Sequence, residues 1–387
     1  MKNKIGVGVV GAGFIGPAHI EALRRLPNVE VVGMAASRDA GKSKAKAEKL
    51  GIPKSYKSWE QLVEDPAIHV VHNCTPNYLH FAVNKAVIEN KKPIFSEKPL
   101  AMTSEEGDEL VKLAAKAKLP NGVCFNYRGY PLNQHARALI QSGELGKVFH
   151  IHGGYIQDWL LFAQDYNWRI DPKESGASRA FADIGSHWCD LVQYVTGLRI
   201  RKVMGLLKTV HPTRKKLSDV EAFAGGPVDL TKAKDIKITT EDYGMAMVQF
   251  DNGALGQLTV TQVNAGRKNQ LKYEIACERA AIAFDQEDPD RMWIGRKDAP
   301  NTQLLRDGSL VHKQAQSYIH YPGGHPEGYA DGLKNLLIKF YAHVSGETKE
   351  VAYPTFKDGA WENRICDAVL KSSAEGGTWV DVSEKGL

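Results

Sequence analysis

A chain of 387 residues, 43% of them apolar and 25% charged, has the composition of a globular protein with a large core. At roughly 100–200 residues per domain, two domains are expected. The net charge of +5 is spread without a basic block, so no nucleic-acid partner is implied. No apolar run approaches the roughly 18 residues of a membrane span, and no membrane partner is expected.

The apolar residues at the start of the chain fit a strand and not a signal peptide. Cys74, Cys124, Cys189, Cys277 and Cys366 are scattered and odd in number, the pattern of reduced, buried thiols in a cytoplasmic protein. No C-x-x-C or clustered His/Cys spacing points to a metal.

Ile5, Val7, Val9 and Val10 predict a short buried strand, and a helical pattern begins after Gly16. Between them lies Gly11-Ala12-Gly13-Phe14-Ile15-Gly16, a G-x-G-x-x-G in strand–turn–helix context. Gly11 suits the tight turn, Gly13 the approach of a pyrophosphate, and Gly16 close packing of helix on strand. Phe14 and Ile15 lie within this turn as candidate cofactor contacts, and the N-terminus of the helix that follows suits the phosphates. A structural turn is the bland alternative.

The second strand, over 30–36, ends at Ser37-Arg38-Asp39, where NAD binders place an acid for the ribose 2′-OH. Ser37 stands at that position and Arg38 follows. Asp39 comes late and suits a helix cap. The pair Ser37 and Arg38 favours NADP over NAD, against the alternative of a solvated arginine.

A helix over 41–50, a strand near 54–56, a helix over 59–63 and a strand over 70–74 follow. The last closes on Thr75-Pro76-Asn77-Tyr78-Leu79-His80, at a strand end where α/β sheets place ligand groups. A helix over 81–89 leads to a strand over 93–96, then to Glu97-Lys98-Pro99. Thr103 opens a helix to 117 with capping-box character, and a strand is expected over 123–126. This alternation predicts a doubly wound Rossmann sheet over 1–126.

The pattern changes at Tyr127-Arg128-Gly129, two of whose side chains, Tyr127 and Arg128, are candidates for substrate binding. After a helix over 133–141, period-two segments dominate: 148–155, 203–207, 243–250, 255–262 and 270–276. Asp251-Asn252-Gly253 reads as a hairpin turn. The stretch 211–235 reads as an exposed loop. An α+β domain over 127–387 with a large open, mostly antiparallel sheet is expected.

Lys98 follows a parallel strand, from which it can point beside a nicotinamide, and Glu97 can orient it or the cofactor. A solvated lysine is the alternative. In Ala182-Asp183-Ile184-Gly185-Ser186-His187, Asp183 and His187 share one helical face, so the carboxylate can hold the imidazole while its other nitrogen works on a hydroxyl. Asp183 as a mere N-cap is the competing reading, and metal ligation lacks a third ligand. Gln157, Asp158 and Trp159, then Trp168 and Arg169, suit a polyhydroxylated ligand, although singly each is more often a surface or core residue. His325, in a Gly/Pro-bracketed loop, is either a ligand contact or a residue at a helix start.

Together, GAGFIG, SEKPLA and DIGSHWCDL resemble the Gfo/Idh/MocA family of NAD(P)-dependent oxidoreductases of sugars, inositols and related polyols. The resemblance covers essentially the whole chain. It implies that Lys98 touches substrate and nicotinamide ribose, that Asp183 and His187 are the catalytic pair, and that Thr75, Pro76, Asn77 and His80 line the cofactor. Trp168-Arg169 matches a pair that reaches the nicotinamide end in many members. Ser37 departs from the Asp of many members, so their NAD preference does not carry over.

The implied activity is oxidation of a secondary ring alcohol by NADP or NAD, with Lys98 or His187 as main base. The resemblance also implies a homo-oligomer, dimer or tetramer, formed through the exposed sheet face of the C-terminal half. Two alternatives remain: a relative that uses NAD without net turnover, as in glycoside hydrolysis, and a non-catalytic nicotinamide sensor. Retention of Lys98, Asp183 and His187 argues against the sensor.

Overall fold

The computed structural model describes residues 4–37, 39–216, 231 and 233–383. The described residues up to Asn126 and those in Tyr329–Asn363 form one compact unit. Those in Tyr127–Gly328 and from Arg364 onward form a second.

The first unit is built on β1 (Ile5–Val10), β2 (Val29–Ala35), β3 (Lys54–Ser55), β4 (Val70–Asn73), β5 (Ile94–Ser96) and β6 (Asn121–Val123). They lie in the order β3-β2-β1-β4-β5-β6, each neighbouring pair parallel. Such strands are buried on both sides and need helices on both faces. On one face, helices Ile15–Arg24 and Tyr329–Val344 pack through Ile20, Leu23, Leu336 and Phe340. On the other, Leu62, Val83, Val87 and Leu110 fill the core from helices Trp59–Glu64, His80–Glu89 and Ser104–Ala117. The strand order reverses between β1 and β4, the switch point outside which such sheets bind ligands.

The second unit carries a nine-stranded sheet. Its strands are β7 (Val148–Ile156), β8 (Ile200–Lys208), β11 (Tyr243–Phe250), β12 (Leu255–Thr261), β13 (Gln270–Cys277), β14 (Ala281–Asp285), β15 (Arg291–Gly295), β16 (Thr302–Leu305) and β17 (Val380–Asp381). A separate ribbon pairs β9 (Thr213–Lys216) with β10 (Lys234–Lys237). The large sheet runs β16-β15-β14-β13-β7-β12-β11-β8-β17, antiparallel except where β7 meets β12. Helices Pro131–Gln141 and Ser186–Thr196 lie on one face, where Asn133 bonds Tyr273 and Trp188 bonds the Lys272 carbonyl. On the opposite face Leu206, Met245, Met247 and Leu255 are exposed.

Three expectations need correction. The second domain does not run unbroken over 127–387, because Leu333, Leu336, Leu337 and Phe340 fill a face of the parallel sheet. The sixth strand is Asn121–Val123 and not 123–126, since the chain turns at once, with Phe125 N–H bonding the Val123 carbonyl. The stretch 211–235 is not wholly loop, since its two ends zip together as β9 and β10. Its middle, 217–230, lies outside the described residues.

Candidate functional site

In the first unit the turn after β1 shows which glycines the fold needs and which it leaves open. Gly11 has a φ of +95°, and a Cβ on it would lie 2.3 Å from the Cys74 carbonyl oxygen. A Cβ on Gly16 would meet the Gly11 carbonyl oxygen at 2.4 Å, whereas one on Gly13 meets nothing within 4 Å. Gly11 and Gly16 therefore serve packing, and Gly13 keeps backbone open to a ligand. Helix Ile15–Arg24 begins without a side-chain cap or an acidic residue in its first turn, and Phe14 before it is exposed. An uncapped N-terminus beside open glycine backbone suits the two phosphates of a dinucleotide.

At the end of β2, Ser37 Oγ accepts the Asp39 N–H at 3.1 Å. Asp39 caps helix Ala40–Lys49, its carboxylate accepting from Lys42 N–H at 2.9 Å. That cap commits the acid that follows Ser37 most closely in sequence. Arg38 lies outside the described residues.

After β4, Thr75 Oγ1 donates to Asn73 Oδ1 at 2.7 Å, and Asn77 opens a short helical turn behind Pro76. His80 ties two loops together, with Nδ1 2.6 Å from the Pro99 carbonyl and Nε2 2.8 Å from that of Thr75. Lys98 precedes Pro99 through a cis peptide and is half-buried. Glu97 is buried and accepts the Lys98 N–H at 3.2 Å and His19 Nε2–H at 2.9 Å. Burial pushes its carboxyl up, but the hydrogen bond and charge of His19, then the Lys98 charge, outweigh this and hold it at about 2. The fold also brings donor atoms of His19, Glu97 and Cys124 within 4.8 Å of one another, a grouping that spacing did not suggest.

In the second unit Asp183 stands on a π-helical turn, Phe181–Gly185, that runs into helix Ser186–Thr196. Such wide turns inside helices recur at functional sites. Asp183 accepts from Arg169 Nε at 3.3 Å and from Gln262 Nε2 at 3.0 Å. It is thus a charge-holding group and not an N-cap. Gln262 accepts in turn from Arg179, which pairs with Asp242. Arg179 only donates, so the Gln262 oxygen must face it and the amide N–H₂ must face Asp183. The guanidinium of Arg169 also stacks on the Trp168 ring at 4.6 Å.

His187 is buried, with its ring edge-on to Tyr127 at 5.0 Å and tilted against Tyr155 at 6.0 Å. The Tyr127 and Tyr155 hydroxyls meet at 2.5 Å. Asn269 joins them, accepting from Tyr155 at 2.7 Å and from Gln157 at 2.6 Å while donating to Tyr127 at 3.1 Å. Tyr127, Gln157 and His187 thus belong to one polar and aromatic cluster, and Arg169 and Asp183 to a second polar group that includes Gln262. Trp159 is half-buried nearby in sequence.

Other candidates are held elsewhere. Arg128 makes a two-toothed pair with Asp190. Asp158 is tied to Lys268 Nζ at 2.5 Å. His325 is exposed on its own loop, its Nδ1 3.3 Å from the Pro322 carbonyl. Asn269, Gln262 and Arg179 were not expected, because strand-end amides and a lone arginine carry no spacing signal.

Residues 5–125 match the family described as oxidoreductase family, NAD-binding Rossmann fold, and 133–283 match the GFO/IDH/MocA C-terminal domain. The chain is 32% identical over 373 residues to 1,5-anhydro-D-fructose reductase of Ensifer adhaerens, covering 95% of this chain and 96% of that protein. It belongs to the Gfo/Idh/MocA family. Among relatives of this oxidoreductase, levoglucosan dehydrogenase of Pseudarthrobacter phenanthrenivorans is 29% identical over 406 residues and 99% of each chain. An Azotobacter vinelandii inositol dehydrogenase homologue solved with NAD+ superimposes with a TM-score of 0.86 at 27% identity over 98% of each chain.

Proposed function

We propose that the protein oxidises, or in reverse forms, a secondary ring alcohol of a sugar, glycoside, anhydrosugar or inositol. The observation that carries this reading is the Asp183 and His187 constellation, with Arg169 and Gln262 fixing the carboxylate, in a family whose relatives act on such rings. The open backbone at Gly13 and the uncapped helix behind it fit a dinucleotide. When bound, the nicotinamide supplies the hydride acceptor. A ring nitrogen of His187 takes the hydroxyl proton, and ionised Asp183 stabilises the imidazolium that results. The Lys98 ammonium steadies the alkoxide as charge develops on oxygen. Tyr127, Gln157 and Trp159 orient the ring.

NADP is the preferred cofactor in this reading, because Ser37 replaces the ribose-binding acid and Asp39 is spent on its helix. The protein assembles as a homo-oligomer through the open face that shows Leu206, Met245, Met247 and Leu255. The test is a nicotinamide absorbance screen of inositols, aldoses, glycosides and anhydrosugars with NAD and NADP separately. Turnover with one ring class, lost in His187→Ala and Lys98→Met, is expected. Tight cofactor binding without reduction by any polyol would overturn the dehydrogenase reading, and faster turnover with NAD would overturn the NADP preference.

A further inference from the structure

Behind the cofactor loop, within the first unit, four buried side chains from separate segments form an unbroken hydrogen-bonded line. Glu97 Oε1 lies 2.9 Å from His19 Nε2, His19 Nδ1 lies 2.8 Å from His72 Nδ1, and His72 Nε2 lies 3.0 Å from the Tyr341 hydroxyl. His19 and His72 are fully buried, and Tyr341 and Glu97 are 1% and 6% exposed. The His72 ring stacks between Phe95, at 5.4 Å, and Tyr341, at 6.0 Å.

With His19 neutral, chemistry assigns every proton along this line. An ionised carboxylate only accepts, so His19 must present Nε2–H to Glu97. Neutral His19 then offers a lone pair at Nδ1, so His72 must carry its proton on Nδ1. That leaves His72 Nε2 as an acceptor, and the Tyr341 O–H fills it. Donation therefore runs one way, from Tyr341 to His72 to His19 to Glu97. If His19 held a second proton, the two upper bonds would reverse and the Tyr341 hydroxyl would have to accept.

Burial, with the charge His19 would carry if protonated, pushes His72 well below its ordinary value, and burial raises the Tyr341 phenol, so His72 and Tyr341 are neutral in either order. The charged and titratable groups that face Glu97 are His19, Lys98, Cys124, Cys74 and His80. The line ends on a buried phenol, so it holds a charge in place and does not conduct protons to solvent.

We infer that Tyr341, His72 and His19 are positioning residues, which fix Glu97 as a carboxylate beside Lys98 through one directional hydrogen-bond chain. This rests on the reading of Lys98 as the cation of the reaction. A fixed negative charge one residue before Lys98 faces that lysine's positive charge and, by accepting its backbone N–H, sets the backbone that aims it.

The test begins without any substrate. In the full-length protein labelled with ¹⁵N-histidine at neutral pH, His72 is expected as the Nδ1–H tautomer and His19 as Nε2–H. An Nε2–H tautomer at His72, or an imidazolium at either position, overturns the chain. The second arm uses the ring substrate chosen by the absorbance screen, in a double-mutant cycle. His72→Phe, which keeps the aromatic stack, and Tyr341→Phe, the milder change at the far end, should each lower kcat. Roughly tenfold is expected for His72→Phe, less than the 10²–10³-fold typical of removing a direct donor. NADPH affinity should stay within about twofold, since none of these groups contacts the dinucleotide in this reading.

In a Glu97→Gln background neither change should cost more. Losses that multiply there, or full kcat in both single variants, overturn the positioning role. Expected tautomers in a protein that turns over no polyol would leave the chain standing and sink the dehydrogenase reading instead.

Discussion

Asp242 offers a test of how the second unit is held together. Its carboxylate takes guanidinium N–H groups from Arg179 and Arg214, and the Val210 and His211 N–H groups at 2.6 and 3.0 Å. All three charged side chains are fully buried. Asp242→Ala leaves two guanidiniums without their counter-charge, and removing one partner of a buried pair costs about 3–5 kcal/mol. Each orphaned backbone N–H adds about 1–3 kcal/mol, and water entering the vacated space offsets part of that. A loss of about 5 kcal/mol is expected.

Burial pushes the Asp242 carboxyl up, but the Arg179 charge and its hydrogen bonds outweigh this and hold it below the ordinary carboxylate value. A depressed folded-state pKa means that the stabilisation is present at neutral pH and is lost as pH falls through that value. Urea unfolding near neutral pH reads the loss directly. The exposed pair Lys44 and Glu48 is the internal control, and Lys44→Ala should leave the midpoint unchanged. An Asp242→Ala midpoint within about 1 kcal/mol of the parent would refute the reasoning, because no arrangement of two buried, unpaired guanidiniums is that cheap.

Gly13→Ala should keep the parent melting temperature yet weaken dinucleotide binding by tenfold or more, about 1.4 kcal/mol, whereas Gly16→Ala should destabilise the free protein; calorimetry and NADPH titration separate them, and equal effects would contradict the two environments. Burial, helped by His312, lowers His135 to about 4, and its Nδ1 accepts the His312 N–H at 2.8 Å. The unfolded chain binds a proton near pH 6.5 and the folded one does not, so up to about 3 kcal/mol should vanish as pH falls from about 6.5 to about 4. Thermal melts across that range should lose this slope in His135→Asn; an unaltered slope would assign it elsewhere. Met247→Arg on the open sheet face should dissociate the oligomer in light scattering while leaving the far-ultraviolet spectrum unchanged, and an unchanged mass would place the interface on another surface.

Most of the Rossmann unit was legible because its signals are local. An apolar strand, a glycine turn and a helix follow one another within 24 residues, and the caps at Asp39 and Thr103 form where their side-chain chemistry places them. The period-two segments gave β11 and β12 for the same reason, with the turn at Gly253 between them. Strands β14 to β16 escaped notice because they are only five, five and four residues long, too short for alternation to stand out. The four-residue spacing of Asp183 and His187 is what singles them out as a candidate pair in the sequence. The partners that fix Asp183 were not, since Arg169 and Gln262 come from segments 14 and 79 residues away. Only folding brings them together.

Helix Tyr329–Val344 has a consequence for how the chain is made. Phe340 packs into the same core as Ile20 and Phe95, yet it leaves the ribosome after the entire stretch Tyr127–Gly328. At about 5–20 residues per second, the nucleotide-binding half waits roughly 10–40 s with one flank of its sheet uncovered. During that interval the second unit has its own strands to pair. The nascent chain thus completes its first-made part last, and a nonsense mutation shortly after Gly328 would strand an apolar sheet face for chaperones and proteases to find.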